Sequence, residues 1–252
     1  MLKSILRPAR ILPVLFVPVI ALSLGAAPWD DDDEEDEDEI ELEEAEVFIE
    51  FNHTDGDFGI QFFWDGDAWK KMSVKGPDGR TVLRVRSGGS LGEQGLAEGF
   101  FESDEPSLDE LSMAEFFERF PAGEYEFEGR TLDGAEIEGE ADFTHVLPAP
   151  PSNLWPADGD EVDHLAPLIA TFDAVTQDLD GQALAPVLYE VIVETEGEIL
   201  RVFSIILDGD LAHPAVTVPP EFLTPETEYK LEIIVQEESG NKTIAETEFS
   251  TL

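Results

Sequence analysis

The feature that most constrains the fold is a two-residue alternation of apolar and polar side chains, repeated in short segments between turn residues. The segment EVFIEFN, for example, places Val47, Ile49 and Phe51 on one face. A period of two is typical of a β-strand with one buried face. Asp-Gly pairs, which suit hairpin turns, separate several of these segments. The sequence therefore predicts an all-β fold built from antiparallel hairpins.

The strand-like segments fall into two sets. The first set spans residues 46–147 and the second spans residues 152–252. Between them, PAPP at Pro148–Pro151 is typical of a stiff linker, since proline restricts the backbone. With 252 residues and 42% hydrophobic content, the chain is large enough for two ordinary cores. We predict two tandem antiparallel β-sandwich-like domains.

One short helix interrupts the first predicted domain. Ser112 and Glu115 have the spacing of a capping box, and an apolar face of phenylalanines follows. Pro121 then ends the pattern, so we expect a helix over Ser112–Phe120. The segment Ser87–Gly95 is rich in glycine and is predicted to be a loop.

The N-terminus indicates export. Residues 1–27 combine a basic start, an apolar stretch and small residues, the pattern of a cleaved signal peptide. Residues 28–45 follow as an acidic tail that contains ten consecutive acids at Asp30–Glu39, and self-repulsion predicts that it is disordered. The chain has no cysteine, hence no disulfide and no lipid-anchor cysteine. We expect a protein of the periplasm or the extracellular space, without membrane insertion after signal removal.

The charge excludes several partners. The chain has 58 acidic against 14 basic residues, a formal net charge of −44. Phosphates are repelled by such a surface, so nucleic acid and anionic membranes are not expected to bind. The composition predicts no oligomeric state.

The segment LTPETEYKLEIIVQEESGN, Leu223–Asn241, resembles the end of a fibronectin type III domain. In that family a Leu-x-Pro-x-Thr-x-Tyr run leads into the sixth strand. The resemblance implies a structural tyrosine corner, in which Tyr229 buries its ring and its hydroxyl bonds to the backbone near Leu223. Phe172 stands where the family usually has tryptophan. The family's Arg-Gly-Asp tripeptide is absent, so the resemblance implies a spacer or recognition module, while the first domain carries no comparable motif.

A basic island stands out in the first domain. One predicted hairpin concentrates six of the chain's basic residues, and the side chains that alternation assigns to a protein-binding basic patch are Lys71, Lys75, Arg80, Arg84 and Arg86. We expect this patch to receive an acid, either a protein partner or the protein's own acidic tail. The alternative is that these bases only offset nearby carboxylates across the sheet.

Other site types have weaker sequence signals. QDLDGQ, with Asp178 and Asp180, resembles part of a calcium loop but lacks the terminal glutamate of an EF-hand. The Gly-x-Ser-x-Gly match at Ser90 lies among hairpins, so it predicts no nucleophile, and we expect no catalytic residue and no cofactor apart from an open calcium alternative. Trp64, Trp69 and Trp155 leave two readings open, a carbohydrate-binding module or core packing.

Overall fold

The computed structural model describes residues 39–195 and 200–252, and these belong to one compact unit. The predicted signal peptide and all but one residue of the ten-acid run lie outside the described residues. In the part of the chain that the structure describes, no helix has the length and apolar character needed to cross a bilayer.

The fold is all-β, as predicted, and two sandwiches follow one another. The first contains β1 (Glu39–Glu41), β2 (Glu44–Asn52), β3 (Asp57–Asp65), β4 (Trp69–Lys75), β5 (Thr81–Arg86), α1 (Gly89–Gln94), β6 (Gly99–Glu102), α2 (Met113–Arg119), β7 (Gly123–Thr131) and β8 (Glu136–Phe143). The second contains β9 (Ser152–Trp155), β10 (Asp160–Val162), β11 (Leu168–Asp173), β12 (Leu188–Thr195), β13 (Val202–Asp208), β14 (Ala215–Val218), β15 (Glu228–Gln236) and β16 (Lys242–Thr251).

The two sandwiches share one strand order. In the first, β2-β3-β6 face β1-β8-β7-β4-β5; in the second, β9-β11-β14 face β13-β12-β15-β16. If β1, β10 and the helices are set aside, each module pairs its first, second and fifth strands in one sheet and its fourth, third, sixth and seventh in the other. The first module therefore has the topology of the second, although its sequence showed no motif for it.

The two modules are joined by a continuous sheet. Strand β16 of the second module pairs in parallel with β2 of the first, with Lys242 beside Glu50 and Ile244 beside Asn52. The result is an eight-stranded sheet, and its eighth strand is β10, which pairs with β16 beside the main strand order. Three parallel pairings therefore occur in a fold whose hairpins are otherwise antiparallel as predicted: β1 with β8, β10 with β16, and β16 with β2.

A buried amide fixes this seam. Asn241 is fully buried, and its Oδ1 accepts the N–H of Ile49 at 2.8 Å. Its Nδ2 donates to the carbonyls of Val146 at 2.9 Å and Thr144 at 3.1 Å. One side chain thus satisfies backbone groups from β2 and from the segment that follows β8. Since buried polar groups must be bonded, this amide specifies how the modules meet.

The segment Pro148–Pro151 also takes part in packing. Pro148 is buried, and its carbonyl accepts the hydroxyl of Thr243 at 2.8 Å. Ala149 donates its N–H to the carbonyl of Gln177 at 2.9 Å. These bonds tie the segment to the second module along its first half.

The predicted helix forms with its capping box, and one loop was wrongly predicted. Ser112 caps α2, with the side chains of Ser112 and Glu115 each bonded to the other's backbone N–H. Ser87–Gly95, predicted to be a loop, contains the six-residue helix α1. The first module therefore carries two short helices rather than one. Glycine spacing hid α1 because glycine is a poor helix former that tertiary contacts can override.

Both modules place a tyrosine at the start of the sixth strand. Tyr229 is fully buried, and its hydroxyl accepts the N–H of Thr224 at 2.8 Å and lies 3.5 Å from the carbonyl of Phe222. In the first module, the hydroxyl of Tyr125 donates to the carbonyl of Pro121 at 3.2 Å. Each tyrosine thus ties the connection before its strand to the core.

Candidate functional site

The predicted basic hairpin forms as β4 and β5, and its register aligns the cations. Lys71 lies opposite Arg86, and Ser73 lies opposite Arg84, on the outer face of the five-stranded sheet. On the other side of β4, Lys71 neighbours Arg130 of β7. Arg130 was missed by sequence reasoning, because only the register of a distant strand brings it to this row.

Two of the predicted patch residues are engaged locally. Lys75 forms an ion pair with Glu128 on β7, and this hydrogen bond raises the pKa of the lysine. Arg80 pairs with Asp78 in the hairpin turn, and hydrogen bonds from Arg80 lower the pKa of that carboxyl. Arg130 is likewise paired with Glu136. These cations offset nearby carboxylates, which is the alternative that the sequence left open.

Of the five predicted patch residues, three have no carboxylate within salt-bridge distance among the described residues: Lys71, Arg84 and Arg86, here named the cationic edge. All three are exposed, and two of them lie on β5, the last strand of its sheet. Long side chains on the outer face of an edge strand are open to a partner from above and from the side. The arrangement can bind an anion through charge-assisted hydrogen bonds.

The opposite end of the same face is acidic. Along one row, Lys71 is followed by Arg130 on β7, Glu136 on β8 and Glu39 on β1. Glu39 raises the pKa of the nearby Glu138 carboxyl by repulsion. Three strand spacings of about 4.8 Å separate β1 from β4, so about 14 Å lies between the two ends. The face therefore has a basic edge and an acidic edge.

A second charged feature lies at the seam. The carboxylate oxygens of Glu50, Glu102 and Glu105 come within 4.8 Å of one another. Burial raises the pKa of all three, and burial together with the neighbouring acids raises that of Glu105 to about 7. Lys242 opposes the rise at Glu50. Burial and mutual repulsion both disfavour the charged form of a carboxyl group, which is why the pKa of Glu105 lies well above its usual range.

Asp178 and Asp180, the residues that resemble part of a calcium loop, form a turn. Asp178 Oδ1 accepts the N–H groups of Asp180 at 3.0 Å and Gln182 at 2.7 Å, and Gly181 has a φ of 78°. Among residues 39–195 and 200–252, two groups of three carboxylates come close enough to share a cation, and Asp178 and Asp180 belong to neither. Their geometry is that of an Asp-initiated turn, for which a positive φ favours glycine.

The aromatic surface suggested for carbohydrate is mostly buried. Trp64 and Trp69 are fully buried in the first core, where their ring centroids lie 5.7 Å apart. Of the two readings that the sequence left open for them, the structure gives core packing, because their faces of β3 and β4 point between the sheets. Trp155 is exposed, but a single ring gives no platform.

Comparison with solved structures places the chain beside fibronectin type III proteins. The FN1–FN3 domains of chicken CNTN1 match 84% of this chain at 10% identity with a TM-score of 0.34, and the chain spans 65% of that structure. A two-domain fibronectin type III segment of chicken tenascin matches 83% of the chain at 12% identity with a TM-score of 0.28, over 99% of that segment. Fibronectin type III structures are what this fold resembles.

Activated alpha-2-macroglobulin of Escherichia coli matches 83% of the chain, at 13% identity and a TM-score of 0.31, but the chain spans only 20% of that protein. No family model matches the sequence, and no curated protein matches it. The description of the fold therefore rests on the strand order and the tyrosine corners of this chain itself.

Proposed function

We propose that this chain is an exported, non-enzymatic binding protein whose cationic edge docks an acidic polypeptide. One observation carries the proposal: Lys71, Arg84 and Arg86 stay without a carboxylate partner, among the described residues, in a chain with 58 acidic residues. Acids were available to neutralise these positions, as Glu128 does for Lys75. Arg84 and Arg86 stand two residues apart on β5, so about 6.8 Å separates them, which is the spacing of alternate acids on an extended chain.

Screening allows such a site to work on an acidic protein. The acidic edge at β1 lies about 14 Å from β4, whereas the Debye length at 0.1 M ionic strength is about 10 Å. At 0.1 M ionic strength the carboxylates of the far edge are therefore largely screened. Exposed ion pairs each contribute about 0.2–1 kcal/mol, so we expect weak, fast and strongly salt-dependent binding.

The test is a titration with a fluorescent decapeptide of sequence DDDDEEDEDE at 100 mM and 500 mM NaCl. The wild type should bind at low salt and release the peptide at high salt. The variant R84E/R86E should lose at least tenfold in affinity. R119E/R201E is the matched control, because it changes the net charge equally at arginines outside the hairpin, and it should bind as the wild type does.

Two results would overturn the proposal: no binding at 100 mM NaCl, or an equal loss in both variants. Binding of heparin with no binding of the peptide would indicate a sulfated polysaccharide instead.

The probe sequence is also that of residues 30–39, so a deletion of these residues separates two sources of the same chemistry. Affinity for added peptide that rises on deletion identifies the protein's own tail as a competitor. Unchanged affinity identifies an external partner as the occupant. Export itself is supported by the pattern of residues 1–27 and is tested by the mass of the protein recovered from the periplasm or the medium.

A further inference from the structure

Strand β13 is an open edge of the eight-stranded sheet. It is the last strand in the sheet order and pairs only with β12, through seven consecutive residues from Val202 opposite Glu194 to Asp208 opposite Leu188. No bulge interrupts this pairing. The other side of β13 therefore presents backbone N–H and C=O groups that no neighbouring strand in the described structure takes up.

This edge is apolar on both faces. Val202 and Ile206 are 51% and 50% exposed on the outer face, and Ile205 is 39% exposed on the other. The strand VFSIILD has no lysine, arginine or proline, and its one charge, Asp208, stands at its end. A long, regular and apolar edge is a template for pairing with another strand.

The equivalent strand of the first module is built in the opposite way. β5 occupies the same place in the strand order as β13, but it carries Arg84 and Arg86 on its outer face and a register irregularity opposite Val74–Lys75. Charge and bulges are the usual means by which an edge avoids pairing. Two other outer strands are covered, since β1 adds to β8 and β16 adds to β2.

We propose that β13 pairs with β13 of a second copy of this chain. An antiparallel pair centred on Ile205 sets Ser204 opposite Ile206, Phe203 opposite Leu207 and Val202 opposite Asp208. In this register no acid lies directly opposite another, although the chain as a whole has a net charge of −44. The strand is thus complementary to itself, as a two-fold interface requires.

The neighbouring strands fit the same register. On the outer face, Ile206 lies beside Glu190, and Ser204 lies beside Ile192. Across the two-fold axis, one row of side chains runs from Glu190 and Ile206 of one copy to Ser204 and Ile192 of the second copy. The acid at one end of this row therefore has an apolar residue, not a second acid, at the other end. The hydroxyl of Ser204 donates to the carboxylate of Glu190 at 2.6 Å, which gives that carboxylate a partner on β13.

The net charge predicts the salt dependence. Two chains of the same strong charge repel one another at low ionic strength, and salt screens this repulsion. Self-association through β13 should therefore strengthen with salt, whereas docking of an acid at the cationic edge should weaken. This opposite sign separates the two proposals, and R84E/R86E should leave self-association at high salt unchanged.

The experiment is sedimentation equilibrium of the purified protein from 10 µM to 500 µM at 50 mM and 1 M NaCl. The wild type should form dimers at 1 M NaCl. I206E places a carboxylate in the centre of the paired strip and should reduce dimerisation at least tenfold. I169E is the matched control, because Ile169 is 52% exposed on β11, a central strand, and it should dimerise as the wild type does.

A second measurement locates the interface. Backbone hydrogen exchange over Val202–Asp208 should slow in the dimer, while circular dichroism shows that both variants are folded. A wild type that stays monomeric at 500 µM and 1 M NaCl overturns the proposal. Dimerisation of I206E equal to that of the wild type, loss of dimerisation in I169E, or unchanged exchange on β13 would each do so too.

Discussion

Removal of the Asn241 amide tests whether one side chain holds the two modules together. Asn241→Ala deletes the bond from the N–H of Ile49 and those to the carbonyls of Val146 and Thr144, together with the contacts of Nδ2 to the hydroxyls of Thr144 and Ser239. The three bonds to backbone groups each contribute about 0.5–1.5 kcal/mol net, and the orphaned N–H of Ile49 adds about 1–3 kcal/mol because it is buried. We expect a total loss of about 3–7 kcal/mol, a large part of the stability of an ordinary domain.

In a Trp29→Phe/Trp155→Phe background, the two remaining tryptophans make the fluorescence assay specific to the first module. Trp64 and Trp69 are buried in the first core, so their fluorescence reports on the first sandwich, while circular dichroism reports on both. In the wild type, urea unfolding should give one midpoint by both probes. In Asn241→Ala the midpoints should fall and separate, because the modules no longer unfold together.

The control is Gln182→Ala, which removes an exposed amide from the turn after Asp180. It should change the free energy of unfolding by less than about 0.5 kcal/mol. A loss below about 1 kcal/mol for Asn241→Ala, or midpoints that fall but stay together, would contradict the view that this amide couples the modules.

Three further changes test particular interactions. The pKa of Glu105 is raised to about 7 from 4.5, so its contribution to stability is complete below about pH 4.5 and is lost as the pH rises through 7. Glu105→Gln should therefore stabilise the protein at pH 8 by about 1–3 kcal/mol in thermal melts. The control Glu93→Gln, on exposed α1, should not stabilise it. Tyr229→Phe should cost about 1–3 kcal/mol in urea unfolding, because a backbone N–H loses its acceptor, and an unchanged midpoint would refute this. Gly209→Ala should lower the free energy of unfolding by several kcal/mol, because the added Cβ would meet the carbonyl of Pro186. The control Gly88→Ala has open space around it and should not lower it. Equal melting temperatures of the two variants would show that the close approach at Gly209 is relieved.

The second module was predictable because its signals are local. Leu231, Ile233 and Val235 stand at every second position of KLEIIVQ, and all three are fully buried. The six-residue spacing from Leu223 to Tyr229 indicated the corner, because it allows the tyrosine hydroxyl to bond back to the backbone of the connection before its strand. Such features depend on neighbours within one turn and one strand, which the sequence displays directly.

The topology of the first module was less visible, although one signal was present. Pro121 stands four residues before Tyr125, as Pro225 stands four residues before Tyr229, and both tyrosines enter the sixth strand of their module. The helix α2 replaces the shorter connection of the second module and conceals the match. A comparison of these two spacings would have indicated that the strand order is repeated.

The seam and the candidate site could not be found in the same way. Ile49 and Asn241 are 192 residues apart, and Arg130 joins Lys71 only through the register of β7 with β4. Alternation tells which face a side chain takes, but it does not tell which strands are neighbours. Contacts between distant strands therefore remained outside sequence reasoning, and so did the pairing that leaves three cations free.

The repeated strand order makes the treatment of edges the main difference between the modules. An isolated sandwich of this order exposes its first, fourth, fifth and seventh strands, but β16 of the second module covers β2 of the first. The fusion thus removes two edges at once, and β1 removes another at β8. In both modules the fourth strand remains an edge, and the chain gives β5 arginines and β13 isoleucines. Because the same position receives opposite chemistry, we infer that the two edges serve different contacts: a charged one that salt weakens, and an apolar one that salt strengthens.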